Sequence, residues 1–309
     1  MKFSLSTVIK FAPLTIGVLI LAIGATFVPW DDTIPYLYKI SPLTYALLLA
    51  IGVAYYLVRA LRYVYMLKQL GISKPATDII TAYFEAQPLS ILPGGEAFRT
   101  VTLKDRVNVP FAKSIPVVFL QSFTENIGLV TLALISALFV NRYVALVAAV
   151  LLAYFVILVL VRARRTAKHS HKWINRIPFI TITLQKVRSF ITHNRTLLSG
   201  RSFVVLIATS FISTLLAVSA VYLIAASFGV NLTFPESVLA FTIPMIVQNM
   251  TFLPGGFGAN EQSSVGVLLL IGLTVPAAVA LTIIIRAITQ ILGIIIGLVF
   301  IAVAKIRNH

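Results

Sequence analysis

Runs of about 20 apolar residues, the length a helix needs to cross a bilayer, recur along the chain and are parted by short clusters of charge. Phe11–Trp30, Ile40–Val58, Tyr143–Val161 and Ser202–Pro235 hold no Asp, Glu, Lys or Arg. With the long apolar tracts between them, the pattern predicts full spans near 11–30, 41–66, 115–140, 143–161, 202–228 and 277–304. Two apolar stretches remain over, Pro75–Val109 and Glu236–Val275, and each is cut by Pro-Gly-Gly. The cuts are Pro93-Gly94-Gly95 and Pro254-Gly255-Gly256. Their arms, such as 237–253 and 262–275, are too short to span.

Paired short arms around a helix breaker predict re-entrant helical hairpins, at 75–109 and 236–275. Laying Pro93 on Pro254 places Gln87 on Gln248, and each hairpin is followed by Val-Pro (Val109-Pro110, Val275-Pro276) and a spanning helix. The two stretches enter from opposite faces, which is the form of an inverted repeat with broken helices, a transporter design. A plain external turn that recurs is the alternative. The expected fold is therefore an all-α polytopic membrane protein with six full spans and two oppositely oriented re-entrant hairpins. It forms one transmembrane domain over 1–309. The first half-repeat covers about 41–140. The span 143–161 and the loop 162–201 link it to the second, about 202–304.

Composition agrees. Of 309 residues, 59% are hydrophobic and 11% charged, where a soluble domain carries roughly a quarter charged residues. The net charge is +16. In a soluble chain that would suggest nucleic acid. Here it reads as topology, because cytoplasmic loops concentrate Lys and Arg. Lys2 and Lys10, the flank Arg59, Arg62, Lys68 and Lys74, then Arg99, Lys104, Arg106 and Lys113, all fall on one predicted side. The acid-free basic loop 162–201, Lys305 and Arg307 join them. Only Lys39 and Arg142 fall opposite, and Arg286 lies within a span. Both termini are therefore expected in the cytoplasm, with the first helix an uncleaved span of the plasma membrane. Cysteine is absent, which excludes disulfides and thiolate metal sites.

The breaks carry the candidate chemistry. Glycines Gly94, Gly95, Gly255, Gly256 and Gly258 leave backbone N–H groups free to face a wet cavity. The helix that starts after each break presents its positive end there, which favours anions. Glu96 and Glu261 are read either as caps of those helices or as contacts for a cationic headgroup, a proton or a coupling ion. Glu125 and Arg286 are ionisable groups at bilayer depth, which default to a functional hypothesis. An ion pair between them, holding the halves together, is the structural alternative. Arg99 suits a lipid phosphate, or is one more cytoplasmic charge. Gln87, Gln248 and Asn249 suit a wet cavity or inter-helix hydrogen bonds, and Glu85 faces that cavity or the interface.

The basic loop 162–201 interleaves Trp173, Phe179 and Phe190 with cations and reads as an interfacial segment on anionic lipid. His169 and His171 read as solvated rather than as a metal pair, since acids and cysteines are missing nearby. No nucleophile–base arrangement or nucleotide-binding loop occurs, so neither catalysis nor pumping by ATP is expected. No cofactor is expected.

These same residues resemble the lysylphosphatidylglycerol synthase/flippase transmembrane family, the membrane part of multiple peptide resistance factors. The first family motif, Pro…Gly-Glu-x-x-Arg, is similar to Pro93-Gly94-Gly95-Glu96-Ala97-Phe98-Arg99. The second, Pro-Gly-Gly-x-Gly-x-x-Glu, resembles Pro254-Gly255-Gly256-Phe257-Gly258-Ala259-Asn260-Glu261. Gly272, Ala277 and Arg286 resemble a third stretch. Where the family often has Glu-Arg followed by Asp, this chain reads Gln121-Ser122-Phe123-Thr124-Glu125. The resemblance implies a lipid translocase. It also implies that the synthase activity is absent, since the chain ends at His309 with no aminoacyl-transfer domain. A secondary transporter of a small polar or anionic solute, and a non-catalytic partner of a lipid-modifying enzyme, are the rival readings. Lipids are the expected partners, and a second copy of the chain is a further candidate.

Overall fold

The structure, a computed structural model, describes residues 25–92, 95–140, 149, 200–251 and 253–307. Every element among them is helical. Helices α1 (Trp30–Tyr38), α2 (Pro42–Gln69), α3 (Ala76–Glu85), α4 (Phe98–Val107) and α5 (Phe111–Ala137) form the first half. Helices α6 (Gly200–Ser227), α7 (Phe234–Thr251), α8 (Ala259–Ile271), α9 (Val275–Arg286) and α10 (Leu292–Arg307) form the second. Short 3-10 turns occupy Gln87–Ile91, Gly95–Ala97 and Pro254–Gly256, and a π turn, Ala287–Ile291, joins α9 to α10. Most of the expected span 11–30, the span 143–161 apart from residue 149, the loop 162–201 up to residue 199, and Pro93 and Gly94 lie outside the described residues.

Among the described residues four helical stretches are long and apolar enough to cross a membrane: Pro42–Gln69, Phe111–Ala137, Gly200–Ser227 and Val275–Ile306. Their outward faces stay apolar, with Leu47, Leu57 and Leu61 exposed on α2 and Ile295, Leu298 and Val299 on α10. A water-soluble monomer rarely exposes such a belt.

Local signals set the helix ends. Ser41 accepts the N–H of Thr44 at 3.1 Å, and Pro42 occupies the first helical position of α2. At α7 the Thr233 N–H donates to Glu236 Oε2 at 2.8 Å and the Glu236 N–H donates back to Thr233 Oγ1 at 3.4 Å, a reciprocal cap. α4 stops at Asn108, which turns left-handed with φ 55°.

α6 is the hub, packing on α2, α5, α7 and α9. Its inner face is small: Ser210, Ser213, Ala217 and Ala220 are buried. Small residues let helix backbones approach where hydrophobicity alone supplies no drive to associate. The halves are also interleaved. α5 of the first half packs on the second broken segment through α7, and α10 of the second half packs on the first through α3. Helices α2 and α6 pack directly on each other.

The last span, expected near 277–304, runs Val275–Ile306 and holds the π turn just after Arg286. After Trp30 the chain forms one further short helix before α2. Asp31 and Asp32 in the first turn favour a short helix there. That helix packs along α9, with Tyr36 edge-on to Phe228 at 5.1 Å.

The π turn is buttressed from α2, whose Tyr56 hydroxyl donates to the Thr289 carbonyl at 2.5 Å. A Cβ added at Gly293 would lie 2.3 Å from that same hydroxyl oxygen. Because the ring is tethered, Gly293→Val should lower stability by about 1–3 kcal/mol, the usual cost of overpacking. Thermal unfolding of the detergent-solubilised protein reads this, and an unchanged melting temperature would show that α2 and α10 do not meet this closely.

Candidate functional site: two charged helix breaks

The second break is built by its glycines and closed by one arginine. Gly255, Gly256 and Gly258 all adopt positive φ (57°, 68° and 84°), which side chains disfavour. Space forbids a side chain too, since a Cβ on Gly256 would lie 2.1 Å from Gln248 Cγ. Arg286 reaches in from α9. Its Nε donates to Glu261 Oε1 at 2.7 Å, one terminal nitrogen to Gln248 Oε1 at 3.2 Å and the other to the Gly255 carbonyl at 3.0 Å. The guanidinium also lies 5.3 Å from the Phe257 ring centre. Glu261 Oε2 accepts the Gly258 N–H at 2.7 Å, so the capping reading of Glu261 holds. Asn260 Nδ2 donates to Gln248 Oε1 at 2.8 Å. Charge here is balanced, one cation against one anion.

The first break is organised differently. Glu96 lies in a one-turn 3-10 helix ahead of α4 and does not cap α4, because the helical start falls later, at Phe98. Its carboxylate accepts from Ser122 at 2.7 Å and stands 3.6 Å from both Arg59 and Arg99. Arg99 is buried, lies over the Tyr83 ring at 4.6 Å, and donates to Gln121 Oε1 at 3.3 Å. It is therefore not an exposed cytoplasmic charge. Gly95 touches the preceding turn, where an added Cβ would lie 2.4 Å from the Leu89 carbonyl oxygen.

Arg59 and Arg62 also belong to this cluster, which overturns their reading as a cytoplasmic flank. α2 runs on to Gln69, so both lie inside the helix packing. Arg59 donates to Glu125 Oε2 at 2.9 Å, and Arg62 pairs with Glu125 Oε1 and with Ser210 of α6. The Glu125–Arg286 pair is thereby excluded, as each residue is held within its own half. Three arginines face two glutamates at this break.

The breaks adjoin. The 3-10 turn Gln87–Ile91 contacts the turn Pro254–Gly256, and Asn249 on α7 donates to Asn126 Oδ1 on α5 at 2.9 Å. Asn249 thus makes an inter-helix hydrogen bond and is itself exposed. Gln87 is buried, and its amide nitrogen finds no partner among the described residues. Glu85 stands apart in a pair with Arg106, whose guanidinium is raised above its ordinary value by that hydrogen bond. The described residues hold no group of His, Cys, Asp and Glu suited to a metal ion.

Apolar spanning helices around two adjoining charged breaks define a multi-pass membrane protein. Residues 10–297 match the family described as the lysylphosphatidylglycerol synthase TM region, and the chain belongs to that family. A UPF0104 membrane protein of Methanothermobacter thermautotrophicus is 29% identical over 147 residues. That match spans 43% of this chain and 44% of the relative's own length.

Burial of the paired arginine ranks the acids, since the Arg62 side chain is fully enclosed and that of Arg106 is 29% exposed. Glu125→Gln leaves Arg62 buried without its counter-charge and should destabilise by about 3–5 kcal/mol. Glu85→Gln breaks a half-open pair and should cost less than about 1 kcal/mol. Chemical denaturation of both variants in detergent reads the difference, and equal losses would contradict the burial of the first cluster.

Proposed function

We propose that the chain is a lipid translocase, moving a phospholipid or lipid-linked headgroup across the bilayer along a polar path between the two breaks. The observation that carries this reading is the meeting of two broken segments, each with buried charge, inside an apolar helical body. Non-helical backbone at membrane depth persists only where protein or a wet path surrounds it. The two broken segments are read as hairpins that re-enter the membrane from opposite faces. The interleaving of α5 and α10 with the opposite half supports the inverted repeat. The family description names a lysyl-phospholipid, which supports a lipid cargo.

In this reading the headgroup passes between the breaks while its tails stay in the hydrocarbon. Charged groups lining the path lower the cost of carrying a polar head past the bilayer core. Arg99 and the arginines of α2 meet the phosphate. Arg286, with its guanidinium committed to Glu261, Gln248 and the Gly255 carbonyl, holds the second break in shape. Glu261 serves the same scaffold, and Glu96, the most open of the acids at the two breaks, balances charge at the mouth. Asn249 and Asn126 tie the two sides of the path. The reading assigns no bond-breaking step to the chain. The plasma membrane and cytoplasmic termini follow from the distribution of basic residues and belong to the same proposal.

Proteoliposomes with headgroup-labelled phospholipids and an outside-only quencher test it. Wild type should speed exchange over empty liposomes. Glu261→Gln and Arg286→Ala should slow it about tenfold or more, the effect of losing one charge-assisted hydrogen bond. Exchange no faster than empty liposomes for anionic, zwitterionic and polyprenyl-phosphate lipids would sink the lipid reading and leave the solute transporter.

A further inference from the structure

The two breaks differ in charge, and the difference points to the cargo. At the second, Arg286 and Glu261 cancel. At the first, Arg59, Arg62 and Arg99 face Glu96 and Glu125, which leaves one positive charge uncompensated. Two of these arginines are almost fully buried, Arg62 at 2% exposure and Arg99 at 4%. A buried charge without a counter-charge costs several kcal/mol, so the cluster lacks one anion.

Hydrogen bonding gives the same answer by an independent route. The Nε donors of Arg59 and Arg62 are buried and have no partner among the described residues. The hydroxyls of Tyr63 and Tyr83 are also buried without a partner, and the Tyr83 ring lies against Arg99. Buried donors normally find acceptors. The cluster thus has surplus donors as well as surplus charge. It also has a mouth, since the Glu96 side chain is 43% exposed while that of Arg62 is fully enclosed. Glu96 holds its two arginines only at 3.6 Å, a loose grip beside the 2.9 Å contact of Arg59 with Glu125.

We propose that the Arg59–Arg62–Arg99 cluster is a receptor for a singly charged phosphate, the phosphodiester of a lipid whose headgroup carries no compensating cation. Arg59 and Arg99 donate to the phosphate oxygens, Arg62 supplies charge from the floor, and the phosphate sits beside Glu96 as the third anion, so that three cations face three anions. Guanidinium suits this task because its planar fork matches phosphate oxygens. A zwitterionic lipid brings its own cation to the mouth and restores the excess that the site exists to neutralise. The inference rests on the translocase reading and names the charge class of its cargo.

Titration calorimetry of the full detergent-solubilised chain tests it, with dioctanoyl-phosphatidylglycerol, dioctanoyl-phosphatidylcholine and inorganic phosphate as probes. The phosphatidylglycerol probe should bind about tenfold tighter than the phosphatidylcholine probe, the difference one charge-assisted hydrogen bond makes. Arg59→Gln should abolish that preference. Glu96→Gln should tighten phosphatidylglycerol binding severalfold, because it removes a like charge from the mouth of the cluster. This gain keeps the test decisive even if Arg59→Gln fails to fold. Equal affinity for both lipids, or unchanged binding in Glu96→Gln, overturns the receptor. Inorganic phosphate binding as tightly as phosphatidylglycerol overturns the lipid source and assigns the cluster to a free anion. Selective binding without vesicle exchange keeps the receptor and sinks translocation. Equal exchange of both lipids without selective binding does the reverse.

Discussion

The contact on which the structure most depends is the one between Glu125 and the arginines of α2. Moving a guanidinium or a carboxylate from water into a protein interior costs several kcal/mol per ion. Each is tolerable inside an apolar bundle only because the other is there. Arg62 also reaches Ser210, so this one ionic knot ties α2, α5 and the hub helix α6 together. It fixes the rotation of α2 about its axis. That rotation turns Leu57 and Leu61 outward and Tyr56 toward the π turn. The outward apolar face of α2 and its tether on the π turn thus depend on a charge pair in the interior.

The same Pro-Gly-Gly breaker serves two different ends. After the second copy, one arginine takes up the loose carbonyl of Gly255, the Gln248 amide oxygen and the Glu261 carboxylate, so the break is closed by its own surroundings. After the first, the arginines outnumber the acids, and donors remain unmatched. A shared backbone device with unequal side-chain neutralisation is what a path with one docking point and one rigid wall requires. Two identical breaks would supply two walls or two sinks, and a headgroup held equally at both would be slow to leave either.

Much of this was legible in the chain. Apolar run length located α2, α5, α6 and the last span, and the breakers located both interruptions, because proline and glycine act locally and need no partner to be read. Glu261 was readable as a cap for the same reason. Arg59 and Arg62 were not, since positive charge near the end of an apolar run normally marks the cytoplasmic edge. Their burial depends on Glu125, which lies 66 and 63 residues away in sequence. One signal was available. Glu125 sits alone in a long apolar helix, and such an acid demands a cation at the same depth. Arg286 drew that assignment, yet its demand was already met by Glu261, which was read as a helix cap or a headgroup contact. The π turn left no mark, as Ala287–Ile291 reads like any helical segment, and the hydrogen bond that buttresses it comes from Tyr56, 233 residues away.

α5 explains how the two breaks can act as one device. Successive helical residues point about 100° apart, from 3.6 residues per turn. Glu125 therefore faces the arginines of the first half while Asn126, next in line, turns to Asn249 of the second. About one turn earlier, Gln121 and Ser122 reach Arg99 and Glu96 of the first break. The single helix is thus the wall common to both sides. One helix therefore touches both breaks, through Ser122 on Glu96 and through Asn126 on Asn249, with no contact needed between Glu96 and Arg286.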